Sequence, residues 1–522
     1  MFARREMMDT NVVPAEPGYS ANIVAGGYMS CSAQADMPRL LSAPIACATL
    51  LFAMSVPLDA QTVKLGDEVS VSGSIRIRSY SWDWFGSADG DYTYPAAIVR
   101  AGVSQSRPSL EWLVEFGLPV MVSLPSTAVA AAPQGQLGLG GSYFAANSNA
   151  VNNAGFFLKQ GYVRFTGIGG VPGQSIKVGR MEFNDGSEVS PKNATLAALK
   201  RERISQRLLG TFGFSDVGRS VDAAQYVLST KTMNVTALAG RPTQGVFQVD
   251  GWGQLNINMF YGALTGQTGD DQRAGEWRVF ALGYDDYRNG VIKTDNRAAA
   301  ARAADNGNIA IMTYGGHILQ FAETPAGSVD ALVWGALQTG KWGALSQRAA
   351  AYALEGGWQP AAMARIRPWF RAGYDFGSGD GNAADTRHGT FFQILPTPRI
   401  YARLPFFNLM NMRDAFGEAI LRPRKDLTFR TDVHALHLAA ANDLWYSGGG
   451  AFQPRTFGYT GRPSSGQSSL ATLVDVSGDY AYNPRVTIGG YFGDAVGHAV
   501  AQSIYPTGTH IRFAYAELLV RF

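Results

Sequence analysis

The sequence predicts an all-β protein, a transmembrane antiparallel β-barrel of about 16–18 strands with long extracellular loops. Three observations carry that expectation. Segments of two-residue periodicity recur from Val69 to Phe522, with no helical pattern regularly between them. Glycine (61 residues) and aromatics (11%) are plentiful while charged residues make up only 16%, a mix suited to short strands, tight turns and aromatic girdles. Mean hydropathy is −0.06, too low for a bundle of membrane helices.

The last segment, Arg512 to Phe522, shows the pattern most clearly. Ala514, Ala516, Leu518, Val520 and Phe522 form an apolar set, with Tyr515, Glu517 and Arg521 interleaved. Alternation puts the two sets on opposite faces. A strand of this kind, ending on an aromatic, suits the closing element of a barrel, where the last strand zips against the first.

At the other end, Met37-Pro38-Arg39 precedes an apolar run from Leu40 to Leu58, which ends Leu58-Asp59-Ala60 before Gln61. A basic start, an apolar stretch and a small residue at the cut describe a secretory signal peptide. The expected organisation is an N-terminal extension over 1–36 with Met37 as the true start, a signal peptide over 37–60, and a barrel over 61–522. An uncleaved anchor is the alternative, but Pro44 and Pro57 interrupt the run it needs, and Pro44-Ile45-Ala46 before Cys47 is a poor lipidation context. Both cysteines, Cys31 and Cys47, fall in the removed part. A cysteine-free chain fits passage through an oxidising periplasm to the bacterial outer membrane, with outer-membrane lipid as a partner. Losing three basic and five acidic residues moves the net charge from +3 to +5. That is too mild to suggest nucleic acid.

Along the chain, Val69, Val71, Ile75 and Ile77 alternate with Ser70, Ser72, Ser74, Arg76 and Arg78. Leu110, Trp112, Val114 and Phe116 alternate with Glu111 and Glu115. Val163 and Phe165 flank Arg164, and Trp277, Val279 and Ala281 alternate with Glu276 and Arg278. Ile366, Phe370, Ala372 and Tyr374 alternate with Arg365, Arg367, Trp369 and Arg371; Val486, Ile488 and Phe492 alternate with Arg485 and Thr487. Charges recur on one parity, which favours a barrel over a soluble sandwich. Loop signals fall at 86–91, 169–173, 266–275 and 377–385. Residues 128–153, rich in Ala, Gly and Asn and free of charge, read as a long flexible loop, and 296–305 as a short helix or loop. Residues 191–210 carry Lys192, Lys200, Arg201, Arg203 and Arg207 among Leu196, Leu199, Ile204 and Leu208, a spacing that suits one short amphipathic helix. Such a segment either folds into the lumen and narrows it or remains a solvated extracellular loop.

Two blocks resemble the alginate export family of outer-membrane barrels. The first is Ile176-Lys177-Val178-Gly179-Arg180-Met181-Glu182-Phe183-Asn184-Asp185-Gly186 with Gly218-Arg219-Ser220-Val221-Asp222, similar to that family's Val-Gly-Arg-x-Glu-Phe and Arg-x-x-Asp-Gly elements. The second is Tyr374-Asp375-Phe376-Gly377-Ser378-Gly379-Asp380 with His388-Gly389-Thr390-Phe391 and Leu395-Pro396-Thr397, similar to its Tyr-Asp-x-x-Ser-Gly-Asp, His-Gly-Thr-Phe and Phe-Pro-Thr elements. Ala223 stands in place of the family's glycine and Leu395 in place of an aromatic. The resemblance implies a barrel porin over roughly residues 65–522 and adds Arg180 and Arg219 to the pore, although alternation from Ile176 and Val178 sends Arg180 outward.

The chemistry expected of such a pore is anion attraction without trapping. Arginine and lysine rings attract anions, and the guanidinium fork takes a carboxylate bidentately. Parity assigns Arg76, Arg78, Arg100, Arg164, Arg278, Arg365, Arg367, Arg371 and Arg430 to the lumen; Arg201, Arg203 and Arg207 join them if 191–210 folds inward. Glu111, Glu115, Asp375 and Asp432 temper the field. The competing reading is that inner-wall arginines simply pair with these acids. Asp380 and Asn382 are weak calcium candidates, with an acidic surface loop the plainer reading. His434 and His437, three apart in a strand, face opposite sides and share no metal. No paired-carboxylate cleft, nucleophile elbow, phosphate-cradling loop or zinc spacing is present, so neither an enzyme nor a cofactor is expected. The expected function is passive, anion-selective export of an alginate-like polysaccharide or oligosaccharide, with periplasmic export components as partners. The alternatives are a porin for small organic or inorganic anions and a barrel whose loops bind surface ligands.

Overall fold

The computed structural model describes residues 63–65, 68–270, 272–397 and 402–522. The expected extension (1–36) and signal peptide (37–60) lie outside the described residues. Eighteen antiparallel strands close into one barrel. The first six are β1 (Val69–Trp84), β2 (Asp91–Ser106), β3 (Leu110–Met121), β4 (Phe157–Thr166), β5 (Gln174–Met181) and β6 (Val221–Ser229). Then come β7 (Met233–Pro242), β8 (Ile257–Gly269), β9 (Arg273–Asp286), β10 (Ile309–Thr324), β11 (Gly327–Trp342) and β12 (Leu345–Pro360). The wall ends with β13 (Trp369–Gly377), β14 (Met412–Arg424), β15 (Leu427–Leu438), β16 (Ser469–Ala481), β17 (Val486–Gly497) and β18 (His510–Arg521). Closure is made by β18 on β1, from Arg521 opposite Ser74 to Ile511 opposite Trp84. Beyond it, Phe522 exchanges two backbone hydrogen bonds with Gly73, at 2.8 and 3.0 Å. A Cβ at residue 73 would stand 2.5 Å from the Phe522 ring, so glycine is what lets the terminal aromatic lie on β1.

Strand pairing satisfies the backbone polar groups that hydrocarbon cannot, and alternation then sorts the side chains. Val163, Phe165, Val279, Ile318, Val333, Leu337, Val433, Val474 and Ile488 are exposed and form the lipid belt, while Arg76, Arg100, Arg278, Arg371 and Arg430 fall on the inner parity of their strands. Val333→Arg, near the middle of β11, is expected to cost about 2–4 kcal/mol. Unfolding of the reconstituted barrel in urea measures it, and a cost near zero would take this face out of the membrane.

Connections at the end where β1 starts are short, none longer than residues 361–368. At the opposite, extracellular end lie the long loops 122–156, 182–220, 378–411 and 439–468. Three expectations are corrected here. Residues 266–275 are not a loop: β8 and β9 run on to Gly269 and from Arg273, because the Asp270 carboxylate accepts the amides of Gln272 and Arg273, both at 2.9 Å, and pins a tight turn. Residues 128–153 contain helix α1 (Gly138–Ala146), whose Leu139, Tyr143 and Phe144 are buried. Their small residues serve packing, for a Cβ on Gly141 would stand 2.1 Å from the Ala128 carbonyl oxygen. Arg365 and Arg367 are not on a strand. Pro360 and Pro368 bracket a turn, β13 begins only at Trp369, and both arginines are exposed on that turn.

Candidate functional site

The 182–220 loop turns back into the barrel. Its helix α2 (Ala194–Leu199) starts where the Asn193 side chain accepts the Leu196 amide at 3.0 Å, and Leu196, Leu199, Ile204 and Leu208 are buried, so the segment is inside the barrel and not a solvated loop. Charge fastens it to the wall. Asp185 accepts the amides of Leu208 and Leu209 and lies 3.7 Å from Arg278 of β9; Glu188 lies 3.3 Å from the same guanidinium. Lys200 meets Glu276 at 2.6 Å, and Glu276 also meets His317 of β10 at 3.0 Å. Deeper in, Arg203 and Arg207 share Glu355 of β12 and Asp375 of β13 at 2.9–3.2 Å, while Arg371 joins Glu355 to Asp330 of β11. The guanidiniums of Arg203 and Arg207 also lie over the rings of Phe416 and Trp334. Three arginines and three carboxylates, all buried, thus form one network. Removing any single member strands a charge away from water, which makes such networks costly to break.

The loop then crosses to β1. Arg78 donates to the Phe214 carbonyl at 2.5 Å, the Tyr80 hydroxyl to Asp216 at 2.6 Å, and Arg76 to the Gly213 carbonyl at 2.7 Å and to Asp216 at 3.2 Å. It is tied both to the β8–β13 wall and to β1, and so narrows the lumen between them.

What stays partly open to solvent is the inner face of β1–β5 and β14–β18. There Arg100 pairs with Glu115 at 2.7 Å and Glu182 at 3.1 Å, Arg164 with Glu111 at 3.0 Å, Arg430 with Glu202 at 3.1 Å, Arg78 with Glu517 at 2.6 Å and Arg403 with Asp479 at 3.3 Å. Each of these six carboxylates lies against an arginine, although Arg100 serves two of them, with Lys159 also at 3.4 Å from Glu182, and Arg430 reaches Glu418 at 3.0 Å as well. The converse does not hold: Lys177 lies over the Tyr162 ring and Arg422 over the Trp369 ring, neither with a carboxylate at ion-pair distance among the described residues. Arg201, 66% exposed, has only its neighbour Glu202, which Arg430 shares. Lys177, Arg422 and Arg201 are thus cations of the open face without a carboxylate of their own.

The predicted arginines divide accordingly. Arg76, Arg100, Arg164 and Arg430 face the narrowed lumen and keep some exposure, and Arg201 is exposed beside them. Arg78, Arg203, Arg207, Arg278 and Arg371 are buried against carboxylates; of the predicted tempering acids, Asp375 is buried between Arg203 and Arg207, and Asp432 is buried at 8% exposure. Arg219 is buried in the loop and donates to the Gly449 carbonyl. Arg180 is corrected to the outer side. The β5–β6 register runs without a shift, which leaves Arg180 on the side of lipid-facing Val178, where it grips Asp222 at 2.7 and 2.8 Å and the carbonyls of Leu158, Gly251 and Trp252. The acidic surface loop is corrected at Asp380, which is buried and whose carboxylate accepts the Asn382 amide, while Asn382 and Asp385 are exposed. Among the described residues no three of His, Cys, Asp and Glu converge on a metal site. Lys177 and Arg422 were missed, though each sits on the inner parity of its strand and the same alternation finds them.

Two loop carboxyls carry a pH dependence. Burial pushes Asp185 up to about 6, and Asp443 likewise, although Asp443 accepts hydrogen bonds from Thr390, Tyr446 and the amides of Asp380 and Leu444. The ordinary value is 3.8, so the folded state binds the proton more tightly than the unfolded one. The stability each contributes is full below about pH 4 and is lost as pH rises through about 6. The Tm of Asp443→Asn relative to the unmodified chain is therefore expected to rise between pH 4 and pH 7; a constant difference would contradict the assignment.

Residues 139–501, more than half the chain, match the family described as Alginate export. Among solved structures, the chain is similar to the outer-membrane protein OpdK of Pseudomonas aeruginosa, with 8% identity and a TM-score of 0.52 over 88% of this chain and 100% of that one. It is also similar to OccAB2 of Acinetobacter baumannii (9%, 0.55, 87% and 98%) and to OccK9 (OpdG) of Pseudomonas aeruginosa (9%, 0.54, 87% and 98%). At these identities the likeness is one of fold. No curated protein sequence matches the chain.

Proposed function

The chain belongs to the alginate export family and is an outer-membrane barrel channel, and from that premise we propose that it passes alginate-like carboxylated saccharides, with a preference for anions, through the lumen beside the inserted loop. One observation carries the reading: each carboxylate named on the open face lies against an arginine, some of them shared, while Lys177 and Arg422 have no carboxylate at ion-pair distance among the described residues and Arg201 only the shared Glu202. A uronate chain presents one carboxylate per sugar. Entering the lumen, it competes with Glu115, Glu182 and Glu111 for Arg100 and Arg164, so each guanidinium binds it through an exchangeable pair and lets it go. Attraction comes from the surplus cations and release from the resident acids. The sequence carries no phosphate-cradling motif, so movement follows a gradient or is driven by periplasmic export components.

A second reading, a channel for small organic anions, is favoured by how firmly the loop is fixed across the lumen. A solved structure of OpdK contains vanillate. Surface binding by displayed loops has less support, because most of the large apolar residues of the long loops are buried within the fold. In planar bilayers, oligouronates added on one side are expected to reduce the current while neutral oligosaccharides of equal length do not. Equal effects of both, or no block, would sink the saccharide reading.

A further inference from the structure

At the extracellular end, α1, Phe212 of the inserted loop and the hairpin Leu444–Gly448/Tyr459–Pro463 line a partly open cavity of about 140 Å³. Five aromatic residues, Trp84, Phe212, Phe247, Phe452 and Tyr459, form part of its wall. A cavity near 150 Å³ has room for one six-membered ring. Arg462 is the single charged residue among those lining it, and it is 1% exposed. Its guanidinium donates to the carbonyls of Gln134 and Gln136, to the Ser447 hydroxyl and to the Tyr505 hydroxyl, at 2.8–3.0 Å, and lies against the rings of Trp84 and Trp445.

Every one of those acceptors is neutral. Arg207 and Arg278, equally buried, are matched by carboxylates, but Arg462 has none at ion-pair distance among the described residues. A buried charge held only by dipoles leaves a favourable place for an anion, and low polarity strengthens the attraction. The Trp84 indole Nε1–H, 2% exposed, has no hydrogen-bond partner. Behind Phe212 lies a second buried cation without a carboxylate, Arg219, whose Nε and Nη1 are also unpartnered.

The other polar lining groups are already engaged with protein partners. Ser142 donates to the Gly138 carbonyl at 3.1 Å, Thr460 to Gln136 at 3.2 Å, and Gln453 to Thr456. A sugar would need its hydroxyls met by groups already committed elsewhere. A flat ring with one carboxylate needs only the aromatic walls, the cation and a single donor. We propose that this cavity is a binding site for a monocyclic aromatic carboxylate, with Arg462 as the counter-charge and the Trp84 N–H as a hydrogen-bond donor. The site rests on the small-anion reading above and names the class of anion.

Calorimetric titration of the full chain in detergent, with benzoate as the probe, tests it. One saturable site is expected, with benzyl alcohol and glucuronate each bound at least about tenfold more weakly. Ala145→Phe, which fills the cavity from α1, is expected to abolish binding, and Trp84→Phe to weaken it roughly threefold while the barrel keeps its resistance to heat. Benzoate bound no better than benzyl alcohol, glucuronate bound as well as benzoate, or binding unchanged in Ala145→Phe would each overturn the site. The reversal potential of the same preparation separates the two ideas. An anion-preferring channel without benzoate binding loses only the site; benzoate binding in a cation-preferring channel keeps the site and loses the conduction reading.

Discussion

Replacing Arg207 with alanine is expected to loosen the loop inside the barrel and raise the single-channel conductance. Arg207 is completely buried and holds Glu355 at 2.9 Å and Asp375 at 3.0 Å. Without it, two carboxylates away from water must be satisfied by Arg203 and Arg371 alone. Breaking a buried ion network by removing one partner costs about 3–5 kcal/mol, and the remaining arginines set the expectation near the lower figure. The loss falls on the contact between loop and wall, so the loop moves before the barrel unfolds. Arg207→Lys keeps the charge but not the fork that spans two acids, and an intermediate conductance is expected. Single-channel recording in planar bilayers checks both variants. Conductance identical to that of the unmodified channel would show that this network does not hold the loop.

The second large effect is expected from Arg100→Glu combined with Arg164→Glu. These arginines balance Glu115, Glu182 and Glu111 on the open face. Reversing both adds two carboxylates and strips the arginine from three, Glu182 keeping only Lys159 at 3.4 Å, so the β2–β5 face turns negative and the channel should then prefer cations. The matched control is Arg365→Glu with Arg367→Glu, in the exposed turn between β12 and β13, for which a much smaller shift is expected. A larger shift from the turn pair than from the wall pair would place the selective region at the periplasmic mouth.

Much of the barrel was legible because strand alternation is local. Ile75 and Ile77 against Arg76 and Arg78, or Val163 and Phe165 against Arg164, declare their faces within a few residues, and the structure keeps those faces. Alternation also had Arg180 right where the family likeness misplaced it. It overran at Arg365 and Arg367, where prolines on either side had already ended the strand. The charge-free stretch at 128–153 misled for a different reason: glycine and alanine mark flexible loops and close-packed helices alike, and only the Ala128 carbonyl beside Gly141 distinguishes them. Least visible was which arginines remain available. Arg203 meets Glu355 and Arg76 meets Asp216 across long stretches of sequence, and no periodicity reports pairs formed when a loop folds back onto a distant wall.

Anion selectivity turns on the cations left after that pairing. The reversal potential under a potassium chloride gradient, compared between the unmodified channel and Lys177→Gln with Arg422→Gln, tests it most directly. The expected result is chloride preference in the unmodified channel that falls toward neutrality in the double variant; potassium preference in the unmodified channel, or a preference the double variant leaves unchanged, would contradict it.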